Sequence, residues 1–216
     1  MGLPSIDAGR ACEDRRAAVT DVPAFEQQLR NMAQAEGGPG WLAECAERDV
    51  YLALSRQLID ALAEWLEGID EHKVLEVCAG GGRLAGALAG RGIRVVATDV
   101  RPAARHVEAL AAHEALRRWR PRVVVGCFVP LDSGVDALVL GFPSVRHYLV
   151  LGARLDGTFG SEALWRQPGW KAAPVEAINR WMLTRHDVWT GDPHRPVLQH
   201  GEAWHFRRAG GADRSG

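Results

Sequence analysis

Residues 74–84, VLEVCAGGGRL, decide the fold of this chain. They begin with apolar residues around the carboxylate of Glu76 and end near three consecutive glycines, Gly80, Gly81 and Gly82. A short, mostly apolar run is typical of a strand that is covered on both faces. Glycines after such a strand let backbone amides approach a ligand closely, because there is no Cβ and positive φ is allowed. The stretch therefore predicts a buried strand and a loop that binds a nucleotide-like cofactor.

The residues that follow complete a βαβ unit. RLAGALAGRG, residues 83–92, predicts a helix that Gly90 and Gly92 end, and IRVVATD predicts a second buried strand that ends at Asp99. The crossover should be right-handed. Residues 101–121 can form one helix, or HVEAL within them can form a vestigial strand. RVVVGCF, residues 122–128, predicts a third clear strand from its β-branched content.

Helical patterns come before the first strand. AFEQQLRNMAQ predicts one helix, and residues 41–69 predict a second, in which Tyr51, Leu54, Leu58, Leu62 and Trp65 recur at three and four residues. We expect a flexible tail at 1–22 and a single domain at 23–208. This domain comprises a helical cap at 23–70 and a sheet core at 71–208, and a frayed tail follows at 209–216.

The last third of the chain predicts a mixture of elements. Residues 132–142 are assigned to a helix or turn and residues 148–152 to a strand, because the six residues 143–148 between Phe142 and the run LVLG are too few for a parallel crossover. PVEAINRWML predicts a helix with Pro174 in its first turn, and RHDVWT and EAWHFRR alternate like antiparallel strands. The fold class is therefore α/β: a Rossmann-like, mostly parallel twisted sheet with an N-terminal helical cap and a closing antiparallel strand.

Composition excludes several classes of function. The chain has 216 residues, a formal net charge of −1 and one short basic run, RRWRPR, so nucleic acid is an unfavourable partner. No segment reaches the roughly 20 apolar residues that span a bilayer, so no membrane partner is expected. The four cysteines are scattered, which favours a reduced, cytoplasmic compartment. The oligomeric state is left open.

The glycine-rich loop is compatible with two cofactors, a dinucleotide and S-adenosylmethionine. Gly80, Gly82 and Ala85 satisfy G-x-G-x-x-[GA], and Asp99 follows Gly80 by 19 residues, as in a dinucleotide-binding fingerprint. Glu76 argues against a dinucleotide, because a carboxylate at the end of the strand repels a pyrophosphate. S-adenosylmethionine carries no phosphate and has a sulfonium and an ammonium group. A carboxylate there attracts such a ligand.

VLEVCAGGG and VVATD resemble the first two motifs of the class I S-adenosylmethionine-dependent methyltransferases, over about residues 42–208. The resemblance implies that S-adenosylmethionine is the cofactor and that Glu76 helps to position its methionine moiety. It also implies that Asp99 accepts hydrogen bonds from both ribose hydroxyls and that Val100 lies against adenine. The cofactor loop would comprise Cys78, Ala79, Gly80 and Gly82, and Cys127 would lie near the cofactor or the acceptor.

The acceptor predicted from these motifs is a small molecule, because no Asn-Pro-Pro or Asp-Pro-Pro run follows RVVVGCF. Ligands bind at the carboxyl edge of such sheets. His147 precedes its strand and should lie at the opposite edge, and the histidine spacing matches no metal site. No general base is identified. The candidate acceptor-binding residues are Tyr51 in the cap, Arg154 and Asp156 after the strand at 148–152, and His194 and His200 before the closing strand.

Three alternatives to methyl transfer are left open. An enzyme of this fold can use S-adenosylmethionine for intramolecular cyclisation or elimination, and a binding protein can keep the fold without catalysis. A nicotinamide oxidoreductase is the third, and Glu76 argues against it.

Overall fold

The computed structural model of the chain describes residues 22–36, 40–69, 73–155 and 158–209. Residues 1–21 and 210–216, which hold nearly all of the two expected tails, lie outside this part. No helix within the described residues is long and apolar enough to cross a bilayer. The described helices are α1 (Phe25–Ala35), α2 (Trp41–Glu47), α3 (Arg56–Glu67), α4 (Arg83–Ala89), α5 (Ala112–Trp119), α6 (Val135–Gly141), α7 (Glu162–Arg166) and α8 (Glu176–Asn179), with a 3-10 turn at Leu131–Ser133.

The strands form one main sheet and one separate hairpin. They are β1 (Val74–Val77), β2 (Val95–Asp99), β3 (Glu108–Ala109), β4 (Val123–Cys127), β5 (His147–Leu155), β6 (Thr158–Phe159), β7 (Trp170–Pro174), β8 (Val188–Trp189), β9 (Val197–Leu198) and β10 (Gly201–Arg208).

The main sheet runs in the order β3-β2-β1-β4-β5-β10-β7, with β6 paired to β5. Strands β1 to β5 are mutually parallel, whereas β10 is antiparallel to both β5 and β7. The order 3-2-1-4-5 is that of a doubly wound fold. In such a fold the order in which strands are added to the sheet reverses between β1 and β4, and ligands bind at this switch point. The predicted α/β fold, with its closing antiparallel strand, is confirmed.

Both faces of the sheet are buried. Val74 packs with α3 and α4 on one face, whereas its neighbour Leu75 packs with α5 and α6 on the other. Val123 and Val124 in β4 alternate in the same way. Side chains on a strand alternate between faces, so a strand covered on both faces needs a continuous apolar run. This requirement explains why β1 and β4 were recognisable in the sequence.

The helix predicted over residues 41–69 is wrong, because the structure divides it into α2 and α3 around an extended segment, residues 48–55. Asp49 interrupts the helical backbone with a φ of 51°. The Ser55 hydroxyl starts α3 by accepting a hydrogen bond from the Leu58 N–H at 3.2 Å. The segment between them pairs with the C-terminal part of the chain: Leu52 bridges to Thr184, and the Ala53 N–H donates to the Leu183 carbonyl at 2.8 Å.

Two further predictions need correction. Pro174 does not start a helix; it ends β7, an edge strand, where its missing N–H costs little in the ladder. RHDVWT forms a strand only at Val188–Trp189, which pairs antiparallel with Val197–Leu198 in the separate hairpin. HVEAL contains the two-residue strand β3, so the vestigial-strand alternative is confirmed.

Candidate functional site

A cavity of about 260 Å³ opens at the carboxyl ends of β1, β2 and β4. The segment at residues 48–55 and the residues after β4 cover it. The residues that line it are Asp49, Val50, Tyr51, Leu52, Leu54, Cys78, Gly80, Gly81, Arg83, Leu84, Asp99, Cys127, Phe128 and Pro130. This cavity, the cofactor cavity from here on, brings together four of the predicted cofactor residues, Cys78, Gly80, Asp99 and Cys127, and one predicted acceptor residue, Tyr51.

The loop between β1 and α4 exposes backbone to this cavity. Gly80 has a φ of 54°, and a Cβ at Gly80 or Gly81 would meet no atom within 4 Å. Gly82 differs, because a Cβ there would lie 2.5 Å from His106 Nε2 and 2.6 Å from Val107 Cγ2, and its φ is 68°. Gly80 and Gly81 therefore leave space on the ligand side of the loop, whereas Gly82 lets the loop pack against the residues before β3.

Asp99 ties the end of β2 to this loop. One carboxylate oxygen accepts a hydrogen bond from the Gly80 N–H at 2.9 Å, and the other accepts from the Arg101 N–H at 2.8 Å. A carboxylate offers about four lone-pair positions. Asp99 can therefore hold the loop and still accept hydrogen bonds from a ligand. Val100 is 64% exposed and does not line the cavity.

Glu76 lies behind the loop and not in the cavity. Its side chain is 2% exposed, and Oε2 accepts a hydrogen bond from the Ala85 N–H of α4 at 3.1 Å. Burial, together with the negative charge of Asp99, raises the pKa of Glu76 to about 8. Glu76 is therefore mainly protonated at neutral pH in the ligand-free protein, and it supports the loop from below.

The raised pKa of Glu76 predicts a pH dependence of stability. Between about pH 4.5, the ordinary pKa of the group, and pH 8, the unfolded chain is ionised while the native carboxyl keeps its proton. The native state binds more protons, so the free energy of unfolding falls as pH rises through this window. Glu76→Gln removes this titration. We expect its melting temperature to rise relative to wild type between pH 5 and pH 8, as measured by circular dichroism.

A matched control for this prediction is Glu202→Gln. The Arg154 guanidinium lowers the pKa of Glu202 against the effect of its burial, so this variant should show no such gain between pH 5 and pH 8. A constant difference between Glu76→Gln and wild type across this pH range would contradict the raised pKa of Glu76.

Aromatic side chains cover one side of the cavity. The rings of Tyr51 and Phe128 are 5.5 Å apart between centroids, and Phe128 stacks on His186 at 6.3 Å. The Arg185 guanidinium lies 3.8 Å from the centroid of the Tyr51 ring, a distance suited to a cation–π contact. Sequence reasoning missed Phe128, although it is the last residue of the run RVVVGCF that predicts the third clear strand. It also missed Arg185 and His186, for which no local signal exists.

Two thiols form apolar parts of the wall. Burial, assisted by the charge of Asp99, raises the pKa of Cys78 to about 11, and burial raises the pKa of Cys127 well above its ordinary value. Both groups are protonated at neutral pH. They are therefore suited to packing against a ligand and poorly suited to acting as nucleophiles.

The other predicted acceptor residues lie outside this cavity. Arg154 forms a two-point pair with Glu202, with both N···O distances at 2.9 Å, across β5 and β10. His194 is exposed in the turn between β8 and β9. The His200 N–H donates to Asp187 at 2.6 Å. Asp156 lies outside the described residues.

His147 starts β5, at the predicted opposite edge, where its Nδ1 lies 3.0 Å from His205 Nε2. The described residues contain no group of three or more His, Cys, Asp or Glu side chains that could hold a metal ion.

No protein family model and no curated protein matches the chain. Several solved structures that are similar to it in fold are methyltransferases. A 1,6-didemethyltoxoflavin-N1-methyltransferase from Burkholderia thailandensis, bound to S-adenosylhomocysteine, is 13% identical, covers 97% of this chain and 94% of its own, and has a TM-score of 0.47. The 23S rRNA methyltransferase ErmE is 17% identical, with 73% and 69% covered and a TM-score of 0.42.

A third similar structure is an S-adenosylmethionine-dependent methyltransferase from Agrobacterium tumefaciens. It is 10% identical, covers 71% of this chain and 62% of its own, and has a TM-score of 0.43. Likenesses at these identities concern the fold alone.

Proposed function

We propose that the chain transfers a methyl group from S-adenosylmethionine to a small-molecule acceptor. The observation that carries this proposal is the cofactor cavity at the switch point of the sheet. There the bare backbone of Gly80 and Gly81 and the carboxylate of Asp99 line one space. Cofactors of nucleoside type bind at this position in doubly wound folds.

The loop favours S-adenosylmethionine over a dinucleotide. A pyrophosphate binds to the free N–H groups at the start of a helix. In this chain the Ala85 N–H, in the first turn of α4, already donates to Glu76. Asp49 and Asp99 add two carboxylates to the lining, and Arg83 adds one guanidinium. This lining suits a ligand with a sulfonium and an ammonium group better than a ligand with two phosphates.

Each part of the site has an assigned role. Asp99 accepts hydrogen bonds from the ribose hydroxyls while it holds the Gly80 N–H, and Val100 is the proposed neighbour of adenine. Cys78 and Cys127 pack against the cofactor, and the backbone of Ala79, Gly80 and Gly82 sets the course of the loop. The rings of Tyr51 and Phe128 exclude water from the reacting centre.

S-adenosylmethionine, when bound, supplies an electrophilic methyl group. The protein accelerates its transfer chiefly by holding the acceptor in line with that methyl in a water-poor cavity. Both thiols of the lining are protonated at neutral pH, so neither is proposed as a base. The acceptor must then carry a nucleophilic atom that does not depend on an ionised protein thiol.

The proposal predicts a clear ligand preference. We expect S-adenosylmethionine and S-adenosylhomocysteine to bind with dissociation constants in the micromolar range, about −8 kcal/mol. NAD should give no measurable heat, because the loop and its carboxylates disfavour a pyrophosphate. Isothermal titration calorimetry with each ligand measures this difference. Tight binding of NAD, with no response to the two methionine cofactors, would refute the assignment.

Turnover then separates methyl transfer from other uses of the same cofactor. Incubation with S-adenosylmethionine alone should give almost no product, because the methyl has no acceptor. Extract fractions from the source should give S-adenosylhomocysteine and a product that is heavier by one methylene. Methylthioadenosine with a cyclised or eliminated amino-acid fragment, formed without acceptor, would show intramolecular chemistry instead. Cofactor binding with neither outcome would favour a binding protein.

A further inference from the structure

A second cavity of about 250 Å³ lies inside the helical cap. Its walls come from α1, α2 and residues 48–55, and we call it the cap cavity. Val50 and Arg83 line both this cavity and the cofactor cavity, so the two meet at these residues. A ligand in the cap cavity would therefore be next to a bound cofactor.

The two cavities differ in the sign of their charges. The cofactor cavity is lined by two carboxylates, Asp49 and Asp99, and one guanidinium, Arg83. The cap cavity is lined by two guanidiniums, Arg48 and Arg83, and one carboxylate, Glu44. The first suits a cationic ligand and the second an anionic one.

The cations of the cap cavity are available to a ligand. The side chain of Arg83 is exposed. Its guanidinium forms no hydrogen bond or ion pair within the part of the chain that the structure describes. Among the described residues, Arg48 is paired only with Glu44, four residues earlier, at 3.1 Å, and its side chain is 68% exposed. An exposed pair at this spacing contributes little to stability, so an incoming anion can compete with Glu44 for Arg48.

A third guanidinium lies near the same region. Burial and the charge of Glu44 raise the pKa of the Cys45 thiol to about 11, while Arg185, Arg48 and Arg83 act on it in the opposite direction. All three guanidiniums are therefore close enough to influence one thiol in the wall of the cap cavity. Arg185 also contacts the Tyr51 ring, which lines the cofactor cavity. This distribution places positive charge on both sides of the point where the cavities meet.

The remaining polar wall is fixed in shape. The Gln28 side-chain amide donates to the Leu54 backbone carbonyl at 2.7 Å, and the Asn31 side-chain amide donates to the side-chain oxygen Oε1 of Gln28 at 3.4 Å. Trp41 forms an apolar surface opposite them, with its indole N–H bound to the Thr184 carbonyl at 2.8 Å. A cavity with a few fixed polar groups and an aromatic wall is typical of a small-molecule site.

We propose that the cap cavity binds the methyl acceptor and that this acceptor is a small carboxylic acid, whose carboxylate is held by Arg48 and Arg83. Guanidinium groups match the planar geometry of a carboxylate and bind it through two hydrogen bonds. Arg83 lies at the boundary, so an acid held there presents its other end toward the cofactor cavity. The inference rests on the proposed function and adds the chemical class of the acceptor.

Matched acids and amides test the inference on the full chain. The probes are 4-hydroxybenzoate with 4-hydroxybenzamide, and 2-aminobenzoate with 2-aminobenzamide, titrated into protein saturated with S-adenosylhomocysteine and again without it. Trp41 lines the cavity, so intrinsic fluorescence reports binding. We expect at least one acid to bind ten times more tightly than its amide. Equal affinity of acid and amide in both pairs would overturn the inference.

Variants then locate the site. Arg48→Gln should weaken binding of the acid at least fivefold and leave the amide unchanged. The matched control is Arg166→Gln, which removes another arginine paired with a glutamate four residues away but one that lines neither cavity. Arg166→Gln should leave the acid affinity unchanged, and equal effects of the two variants would overturn the inference.

Arg83 distinguishes an acceptor carboxylate from that of the cofactor. Arg83→Gln should weaken the acid at least fivefold, both in protein saturated with S-adenosylhomocysteine and in protein without it. A tenfold loss of S-adenosylhomocysteine affinity would assign Arg83 to the cofactor and overturn its role here. Failure of the wild-type protein to bind S-adenosylhomocysteine would refute the proposed function, while titrations without it would still decide whether acids bind.

Discussion

Gly82→Ala is expected to destabilise the ligand-free protein by about 2–5 kcal/mol. The methyl group meets His106 and Val107 at 2.5 and 2.6 Å, and the backbone at this residue has a φ of 68°. The left-handed conformation costs about 1–2 kcal/mol for a residue with a Cβ, and overpacking adds about 1–3 kcal/mol. Urea unfolding followed by circular dichroism measures the loss. Affinity for S-adenosylhomocysteine should fall too, because the same loop borders the cofactor cavity.

Gly81→Ala is the matched control for this prediction. It lies one residue earlier in the same loop, its φ is outside the left-handed region, and its added methyl would meet no atom within 4 Å. Its free energy of unfolding should stay within about 0.5 kcal/mol of wild type. Equal stability of the two alanine variants would show that the contact between Gly82 and the residues before β3 is not required.

Asp99→Ala should weaken binding of S-adenosylhomocysteine by about tenfold to more than a hundredfold. Hydrogen bonds to a charged group contribute about 1.5–3 kcal/mol, and each 1.4 kcal/mol is a factor of ten. The variant loses acceptors for the ribose hydroxyls and also the bonds to the Gly80 and Arg101 N–H groups. Calorimetry gives the affinity, and melting of the ligand-free variant gives the cost of the loosened loop.

Asp99→Asn separates the two roles of this residue. The amide oxygen can still accept from the Gly80 N–H, and only the exposed bond to the Arg101 N–H is lost, so we expect a melting temperature near that of wild type. The amide nitrogen cannot accept from a ribose hydroxyl, so the affinity for S-adenosylhomocysteine should still fall at least fivefold. Wild-type affinity in a stable Asp99→Asn variant would make Asp99 a support of the loop only.

The elements that could be predicted from the sequence are those whose residues are dictated by local surroundings. Strands β1, β2 and β4 are buried on both faces or nearly so, and their apolar runs follow directly. The glycine loop was recognisable for a related reason, since Gly80 and Gly82 have backbone angles that favour glycine. These features predict a cofactor site at the carboxyl ends of β1 and β2.

The division between α2 and α3 could not be predicted in the same way. Tyr51, Leu54 and Leu58 continue the helical spacing through a segment that is not helical. Leu54 and Leu58 are buried, but hydrogen bonds to residues 183–185 fix the segment, and residues so distant leave no local pattern. Arg185 and His186 reach the site through the same long-range pairing, which is why they were missed.

Arg154 illustrates a different cause of error in locating a site. Its position after the strand predicted at 148–152 suggested an acceptor residue, because ligands bind at the carboxyl edge of the sheet. The structure places it within β5 and pairs it with Glu202 of the antiparallel strand β10, on the side of β5 that faces away from β4 and the switch point. Whether a residue at the carboxyl edge of the sheet belongs to the ligand site therefore depends on which strand carries it.

The pairing of residues 51–53 with residues 183–185 has a consequence for how the protein is made. Ribosomes release the chain from its N-terminus at about 5–20 residues per second, and the strands that carry the glycine loop emerge first. The roof of the cofactor cavity cannot close until residue 185 has left the ribosome, because the Arg185 N–H donates to the Tyr51 carbonyl at 3.1 Å. A nascent chain that stops before residue 185 has the strands and the glycine loop of the cofactor cavity, but the segment that covers the cavity is not yet fixed. Such a chain therefore cannot enclose a cofactor.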